Sequence, residues 1–162
     1  MKIIDNSLEK EYFTNIKNTL CSDNFAWYHT PTLIIVKKKM PTNYYFFHML
    51  YNSSVPNSGH YSLFLPLIKK LNAVSLIRIR SNLYVPTAKH MHSGFHQDIP
   101  NAKTEYKTGI LYITKNNGST IIGDKEIKCK ENCFVEFSGK TLHSAVSSTD
   151  KRKIVCNFNW YE

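Results

Sequence analysis

The second half of the chain is a succession of short apolar stretches separated by turn sequences, and this pattern most constrains the fold. In VSLIRIRSNLYV, from position 74, arginine and aliphatic residues alternate with the period of two that is typical of a β-strand. Further strand candidates are YKTGILYIT (106–114), STIIG (119–123), CFVEF (133–137) and RKIVCNFNW (152–160). The turn sequences KNNGS and IGDK lie between them. Many short strands without regular helix alternation predict an antiparallel sandwich or barrel, not a doubly wound sheet.

The N-terminal part has helical signals instead. NSLEKEYFTNIKNTL (6–20) places apolar residues near one face at helical spacing, and Asn6 or Ser7 is the candidate N-cap. SLFLPLIKKLN (62–72) predicts a second, shorter helix that begins beside Pro66.

Composition favours one folded domain. Apolar residues make up 42% of the chain, charged residues 20% and aromatic residues 13%, which is typical of a globular protein with a β-rich core. We expect a single domain over 1–162. Residues 1–72 form a helical and loop lead-in, and this lead-in packs on a mainly β core formed by 73–162.

The formal net charge of +9 favours anionic partners, which include small carboxylates, phosphates and nucleic acid. The basic runs at 37–39, 69–70 and 151–153 are scattered and form no basic tail. This distribution is typical of a solvated basic surface, so nucleic acid is the less favoured partner.

The cysteines and the N-terminus bear on location. Cys21, Cys129, Cys133 and Cys156 include no C-x-x-C pair, which argues against a zinc site and favours reduced thiols. No signal peptide is recognised, and the longest aliphatic run, LIIV at 33–36, is too short to span a membrane. These features predict a cytoplasmic protein without membrane association.

HMHSGFHQDIP, from position 90, is the densest group of metal-ligand residues. His96 and Asp98 are separated by one residue and would share one face of a strand. His143, in SGKTLHSAV, is the candidate third ligand. Two histidines and one carboxylate leave coordination positions open, an arrangement suited to non-haem Fe(II). The earlier residues His90 and His92 are interpreted as rim residues.

A cation follows the third candidate ligand on the closing strand. The KRK run at 151–153 could supply a positive charge for the far carboxylate of a cosubstrate such as 2-oxoglutarate. Arg152 and Lys153 face opposite sides of a strand, so only one of them can point inward.

These elements together resemble the 2-oxoglutarate- and Fe(II)-dependent dioxygenases of the prolyl-hydroxylase-like type, in particular small single-domain members encoded by bacteriophages. The matching stretches are LIRIRSNLYVPT, GFHQD, GILYITKNNGST, FVEFSGKTLHSAVSSTD and IVCNFNWYE. They occur in the family's order over residues 76–162. The resemblance implies a double-stranded β-helix, which is a jelly-roll barrel of about eight strands, and a cytoplasmic location in the host cell if the chain is phage-encoded.

The resemblance also implies site residues. It makes His96, Asp98 and His143 the catalytic iron ligands, with 2-oxoglutarate and O2 as cosubstrates. Residues implied to line the cosubstrate pocket are Tyr112, Asn82, Tyr84 and Thr120. Relatives usually carry arginine before the NFN-type ending, whereas this chain has Lys153 there if the ending is used as the anchor. Asn157 shares the face of Lys153. Counting from His143 makes Arg152 equally suitable, and the sequence favours Lys153 slightly.

The implied activity is a hydroxylase-type oxidation of a small-molecule or peptidyl substrate, and the positive charge is compatible with an anionic one. Two alternatives stay open. In a cupin-type metalloprotein without 2-oxoglutarate, His90, His92 and His143 would bind the metal. In a non-enzymatic basic jelly-roll module, the net charge would bind nucleic acid with steep salt dependence.

Overall fold

The computed structural model describes residues 1–30 and 45–162. The basic run at 37–39 and the apolar run at 33–36 lie outside these ranges. Within the described ranges, no helix is long and apolar enough to cross a membrane.

Strands dominate the described residues. The β-strands are β1 (Lys2–Ile4), β2 (Tyr28–Thr30), β3 (Tyr45–Asn52), β4 (Val55–Pro56), β5 (Ser75–Tyr84), β6 (Lys107–Tyr112), β7 (Ser119–Ile122), β8 (Lys125–Lys128), β9 (Cys133–Ser138), β10 (His143–Val146) and β11 (Lys153–Tyr161). The helices are α1 (Lys10–Cys21), a 3₁₀ helix (Gly59–Phe64) and α2 (Leu65–Lys69).

The strands form two antiparallel sheets. The large sheet has the order β1-β9-β6-β11-β5-β3-β2, with β4 paired to β3, and the small sheet has the order β10-β7-β8. Backbone bridges from His92 to Val146 and from His96 to His143 add a further segment to the small sheet, beside β10. Four segments of the small sheet thus face the four strands β9-β6-β11-β5. This is an eight-stranded, two-layer jelly roll, and the mainly β prediction is confirmed.

The two faces of the large sheet have different roles. One face packs against α1 and α2 and forms the larger apolar cluster, which includes Ile79 and Phe158. The other face packs toward the small sheet and includes Tyr112 and Val155. Because side chains alternate along a strand, the even-numbered residues of β5 and the odd-numbered residues of β11 point between the two layers. Polar residues at these positions therefore end up inside the jelly roll.

Helix α1 begins later than the sequence predicts. Its N-cap is Glu9, which makes no side-chain capping bond, so the prediction of Asn6 or Ser7 as the cap is wrong. The Ser7 hydroxyl instead donates to the side chain of Asn132, at 3.2 Å. A long-range contact thus takes the group that could have capped the helix. Helix α2 does contain Pro66 in its first turn, as expected, but it is shorter than 62–72.

The first 72 residues also contribute strands. Strands β1 to β4 all join the large sheet, and β3 pairs with β5 from Phe46 opposite Leu83 to Asn52 opposite Arg78. The sequence of β3, YFFHMLYN, is apolar on both faces and shows no period-two alternation. A strand that is covered on both faces loses the alternation that marks a half-exposed one.

Candidate active site

Three potential metal ligands lie together at one end of the jelly roll. The ligand atoms of His96, Asp98 and His143 lie within 4.8 Å of one another. Two of these residues are placed by the small sheet, because the backbone N–H groups of His96 and His143 each donate to the carbonyl of the other at 3.0 Å. This pairing brings the two imidazole centroids to 4.4 Å. The structure thus joins residues that are far apart in the sequence.

Both imidazoles contact a backbone carbonyl through the same ring nitrogen. Nδ1 of His96 lies 3.1 Å from the carbonyl of Gly94, and Nδ1 of His143 lies 3.4 Å from the carbonyl of Thr141. Since a carbonyl only accepts, the neutral form of each ring carries its proton on Nδ1 and keeps the lone pair on Nε2. Nε2 of His143 is buried and has no hydrogen-bond partner among the described residues. Burial lowers the pKa of His143, and the nearby Asp98 carboxylate opposes this effect.

Asp98 is held by a network from the large sheet. Its Oδ1 lies 3.0 Å from Nη2 of Arg78 and 3.9 Å from Nε2 of His143. Its Oδ2 accepts from Nδ2 of Asn159 at 3.0 Å. Asn159 also accepts from Nε of Arg78 at 3.2 Å and donates to the Thr108 hydroxyl at 3.0 Å. Burial is the largest single influence and would raise the pKa of Asp98. The Arg78 guanidinium, His143, the hydrogen bond from Asn159 and His96 together outweigh it, so the net pKa is lowered and the carboxyl is ionised.

The donor set fits a divalent transition metal. Two imidazole nitrogens and one ionised carboxylate on one side of a pocket form the 2-His-1-carboxylate arrangement, which suits non-haem Fe(II). The unpartnered, buried Nε2 of His143 is a further sign of fit, because a buried lone pair without a partner is costly.

Replacing Asn159 with alanine should weaken metal binding although Asn159 is not in the group of three. The variant removes the bonds to Asp98, Arg78 and Thr108, so the carboxylate loses the amide that fixes its orientation. We expect metal affinity to fall by roughly 10–100-fold, the usual effect of losing a ligand's hydrogen-bond partner. Calorimetric titration with Mn²⁺ measures this, with thermal unfolding as the control for folding. An unchanged affinity in a folded variant would show that Arg78 alone orients Asp98.

A cavity of about 690 Å³ opens beside the three residues. Its lining includes His96 and Asp98 together with side chains from β5 and β11, and its rim includes Leu142. The volume is in the range of small-molecule sites. A much smaller cleft, of about 20 Å³, continues between the sheets and is lined by residues that include His96, His143 and Lys153. The cavity and the cleft share Tyr84, His96 and Asn157.

Lys153 lies inside the jelly roll. Its side chain is 1% exposed, and its Nζ donates to the carbonyls of Ser119 and Val146. Nζ also lies 5.5 Å from the ring centroid of Tyr84. None of the ion pairs in residues 1–30 and 45–162 includes Lys153, and burial lowers the pKa of its ammonium group. Among the described residues, Lys153 is thus a buried cation without a carboxylate partner.

The other predicted pocket residues also lie on the inner faces. Asn82 and Thr120 are buried, and Tyr84 and Asn157 line both the cavity and the cleft. Buried polar atoms without a hydrogen-bond partner in the described residues include Asn82 Oδ1, Tyr112 Oη and Asn157 Oδ1. Burial raises the pKa of the Tyr112 phenol, so it stays protonated and able to donate. These groups form a polar interior without enough partners of its own.

Three predicted or considered residues lie elsewhere. Arg152 is exposed, and its guanidinium donates to the carbonyl of Cys21 at 3.1 Å, so it does not share the interior with Lys153. His90 is exposed and bonds through Nδ1 to the carbonyl of Ser147 at 2.7 Å. His92 is also exposed, with its backbone paired to Val146. Neither histidine belongs to the group formed by His96, Asp98 and His143.

The sequence did not reveal the roles of Arg78 and Asn159. The registers that place both residues beside Asp98 are long-range, because Arg78 lies opposite Asn159 across the β5–β11 pair. The sequence did contain one signal. Arg78 lies on the same strand face as Asn82, and Asn159 lies on the same strand face as Lys153, so these side chains point to the same side of the sheet as the predicted pocket residues.

Comparison with known proteins defines the fold. No protein-family model matches the chain, and no curated protein matches its sequence. Solved structures do match it. A 2OG-Fe(II) oxygenase family oxidoreductase from Burkholderia pseudomallei is similar with a TM-score of 0.71 at 8% identity, over 98% of this chain and 84% of that one.

Two further structures are prolyl hydroxylases. A viral collagen prolyl hydroxylase from Paramecium Bursaria Chlorella virus-1 is similar with a TM-score of 0.61 at 13% identity, over 99% of this chain and 89% of that one. A prolyl hydroxylase from Trichoplax adhaerens, in complex with a hypoxia inducible factor peptide fragment, is similar with a TM-score of 0.68 at 13% identity, over 98% of this chain and 82% of that one. At the level of fold, the resemblance seen in the sequence is confirmed: the chain has the jelly-roll fold of 2OG-Fe(II) oxygenases and prolyl hydroxylases.

Proposed function

We propose that the chain is a non-haem Fe(II)- and 2-oxoglutarate-dependent dioxygenase of the hydroxylase type. The observation that carries the proposal is the narrow cleft between the sheets. Its lining includes His96 and His143 and also Lys153, a buried cation without a carboxylate partner in the described residues. A dicarboxylate with a keto-acid end fits this polarity, because one end chelates a metal and the other requires a cation.

In this proposal, His96, Asp98 and His143 hold Fe(II), and Lys153 binds the far carboxylate of 2-oxoglutarate. The Tyr112 hydroxyl is a second donor for that carboxylate, and Thr120, Asn82, Tyr84 and Asn157 complete the pocket wall. The cleft holds only about 20 Å³, so 2-oxoglutarate also needs space from the adjoining cavity. The flexible Lys153 side chain, whose Nζ donates to the carbonyls of Ser119 and Val146, can turn toward this space.

When bound, the iron and 2-oxoglutarate supply the oxidising chemistry, in which decarboxylation to succinate is coupled to oxidation of a substrate by O2. The chain's own residues do the positioning. Asn159 and Arg78 fix the Asp98 carboxylate, and the carbonyls of Gly94 and Thr141 fix the imidazoles. The substrate, small-molecule or peptidyl, would enter through the 690 Å³ cavity, which His96 and Asp98 line.

An anaerobic titration tests the proposal. Fe(II) and then 2-oxoglutarate are added to the metal-free protein, and visible spectra are recorded for the wild type and Asp98→Ala. We expect a weak metal-to-ligand charge-transfer band in the wild type alone, and slow succinate formation once air is admitted. Metal binding without a band would favour a metalloprotein that does not use 2-oxoglutarate. Absence of metal binding, with salt-sensitive nucleic-acid binding, would favour the basic binding module.

A further inference from the structure

Arg80 is a second inward-facing cation in the large cavity. It lies on β5 between Arg78 and Asn82, and the three side chains point to the same face of the sheet. Across the strand pair, Arg80 lies opposite Asn157 on β11. All four of these residues line the 690 Å³ cavity, together with the proposed ligands His96 and Asp98. A group bound at Arg80 would therefore lie in the same cavity as the proposed metal site.

The two arginines differ in their partners. Arg78 is neutralised by Asp98, with 3.0 Å between Nη2 and Oδ1. Arg80 belongs to none of the ion pairs found in residues 1–30 and 45–162. Its Nε is buried and has no hydrogen-bond partner in the same ranges. The cavity thus holds one unneutralised positive charge.

Aromatic contacts fix the position of that charge without neutralising it. The guanidinium carbon lies 5.0 Å from the ring centroid of Tyr45 and 4.5 Å from that of Phe47. Nη2 also donates to the Tyr45 hydroxyl. Tyr45 is itself stacked on Tyr84, with centroids 5.4 Å apart. Cation–π contacts of this kind hold a planar guanidinium in a defined orientation, which prepares it for a planar anion.

We infer that the substrate is a small organic acid whose carboxylate binds to Arg80. The guanidinium matches the planar geometry of a carboxylate, and an unpaired, partly buried charge is strongly favoured to find a counter-ion. The cavity volume is that of a small-molecule site. The exposed Leu142 on the rim offers an apolar surface for the remainder of such a molecule. This inference rests on the proposed function, since it assigns the substrate of that same site.

The test compares acids with their amides. The probes are phenylacetate, N-acetyl-L-leucine and N-acetyl-L-proline, each paired with its primary amide. Binding to metal-free protein is measured by ligand-observed NMR, in the wild type and in Lys153→Met, which lacks the buried lysine of the cleft. We expect at least one acid to bind about tenfold or more tightly than its amide, the effect of a charge-assisted hydrogen bond.

Two arginine variants locate the effect. Arg80→Gln should remove the preference for acid over amide, whereas Arg152→Gln, which removes the same charge from an exposed position, should keep it. An equal affinity for acid and amide in all three pairs of the wild type would overturn the inference, and so would a preference that persists in folded Arg80→Gln. The comparison of the wild type with Lys153→Met needs no change at Arg80, so it decides the matter even if Arg80→Gln does not fold: an acid preference that is lost in Lys153→Met would overturn the inference, and one that is kept would support it.

The outcome is separable from that of the proposed function. Because binding is measured without metal, an acid preference that depends on Arg80 would support this site even if no charge-transfer band forms. Conversely, a normal band with no acid preference would leave the oxygenase proposal intact and overturn the assignment of an acidic substrate.

Discussion

Replacing Lys153 with methionine is expected to stabilise the protein and to abolish binding of 2-oxoglutarate. The lysine is 1% exposed and has no carboxylate partner in the described residues, so its charge opposes folding in the absence of an anion. Methionine has a similar length and no charge. The carbonyls of Ser119 and Val146 lose a donor, which limits the gain in free energy of unfolding to about 1 kcal/mol.

The same substitution should weaken binding of 2-oxoglutarate, and this loss of binding free energy should be larger than the gain in stability. Without Lys153, the far carboxylate of 2-oxoglutarate would be buried without a cation, which costs about 3–5 kcal/mol, or more than about 100-fold in affinity. Anaerobic calorimetry with Fe(II) measures the affinity, and urea denaturation measures the stability. Arg152→Met is the matched control, because this neighbouring cation is exposed and should change stability by less than about 0.5 kcal/mol.

The stability gain should also depend on pH. Burial lowers the pKa of Lys153 below its ordinary value of 10.5, so between the two values the unfolded chain binds more protons than the folded one. The wild type therefore becomes more stable as pH rises through this window. The advantage of Lys153→Met should be full below the folded-state pKa and should shrink as pH approaches 10.5. Denaturation without 2-oxoglutarate at increasing pH measures this.

Each result can contradict the assignment separately. A Lys153→Met variant that binds 2-oxoglutarate like the wild type would show that another group binds the far carboxylate. A variant that loses more than about 2 kcal/mol of stability would show that the lysine mainly satisfies the two carbonyls and is structural.

The pattern of one alternating stretch and several short apolar stretches separated by turns was sufficient to predict β5, β6, β7, β9 and β11. It was not sufficient for strands whose surroundings hide the alternation. Strand β3 is apolar on both faces, and β10 is short, with Ser144 and Ala145 at its centre. The N-cap prediction for α1 was wrong for a related reason: Ser7 bonds to Asn132, a partner supplied by the tertiary fold.

The candidate site was likewise predictable only in part. His96, Asp98 and His143 were suggested by residue type and order, and the period of two was enough to show that Lys153 and Arg152 could not both point inward. The network around Asp98 was not predictable, because it depends on the register that places Arg78 opposite Asn159. Registers between distant strands are set by the whole fold. Local sequence therefore indicated the candidate ligands but not the groups that orient them.

Two ligand variants and one matched histidine variant should define the metal site. His96→Ala and Asp98→Ala are each expected to reduce metal affinity by more than about 100-fold, since loss of an outer hydrogen-bond partner alone costs roughly 10–100-fold. His90→Ala should leave the affinity unchanged, because His90 is exposed and its Nδ1 is bonded to Ser147. Free Mn²⁺, counted by electron paramagnetic resonance, measures the affinity in all three variants.

His96→Ala is the more informative of the two ligand variants. Removing Asp98 leaves the guanidinium of Arg78, whose side chain is 19% exposed, without its counter-ion, so some loss of stability accompanies loss of the metal. His96 is half-buried, and its replacement leaves the Asp98–Arg78 pair intact. If His90→Ala lost the metal while Asp98→Ala kept it, the ligands would be those of the cupin-type alternative. If His96→Ala alone lost it while remaining folded, the metal would be held by the histidine pair, and Asp98 would serve as the counter-ion of Arg78.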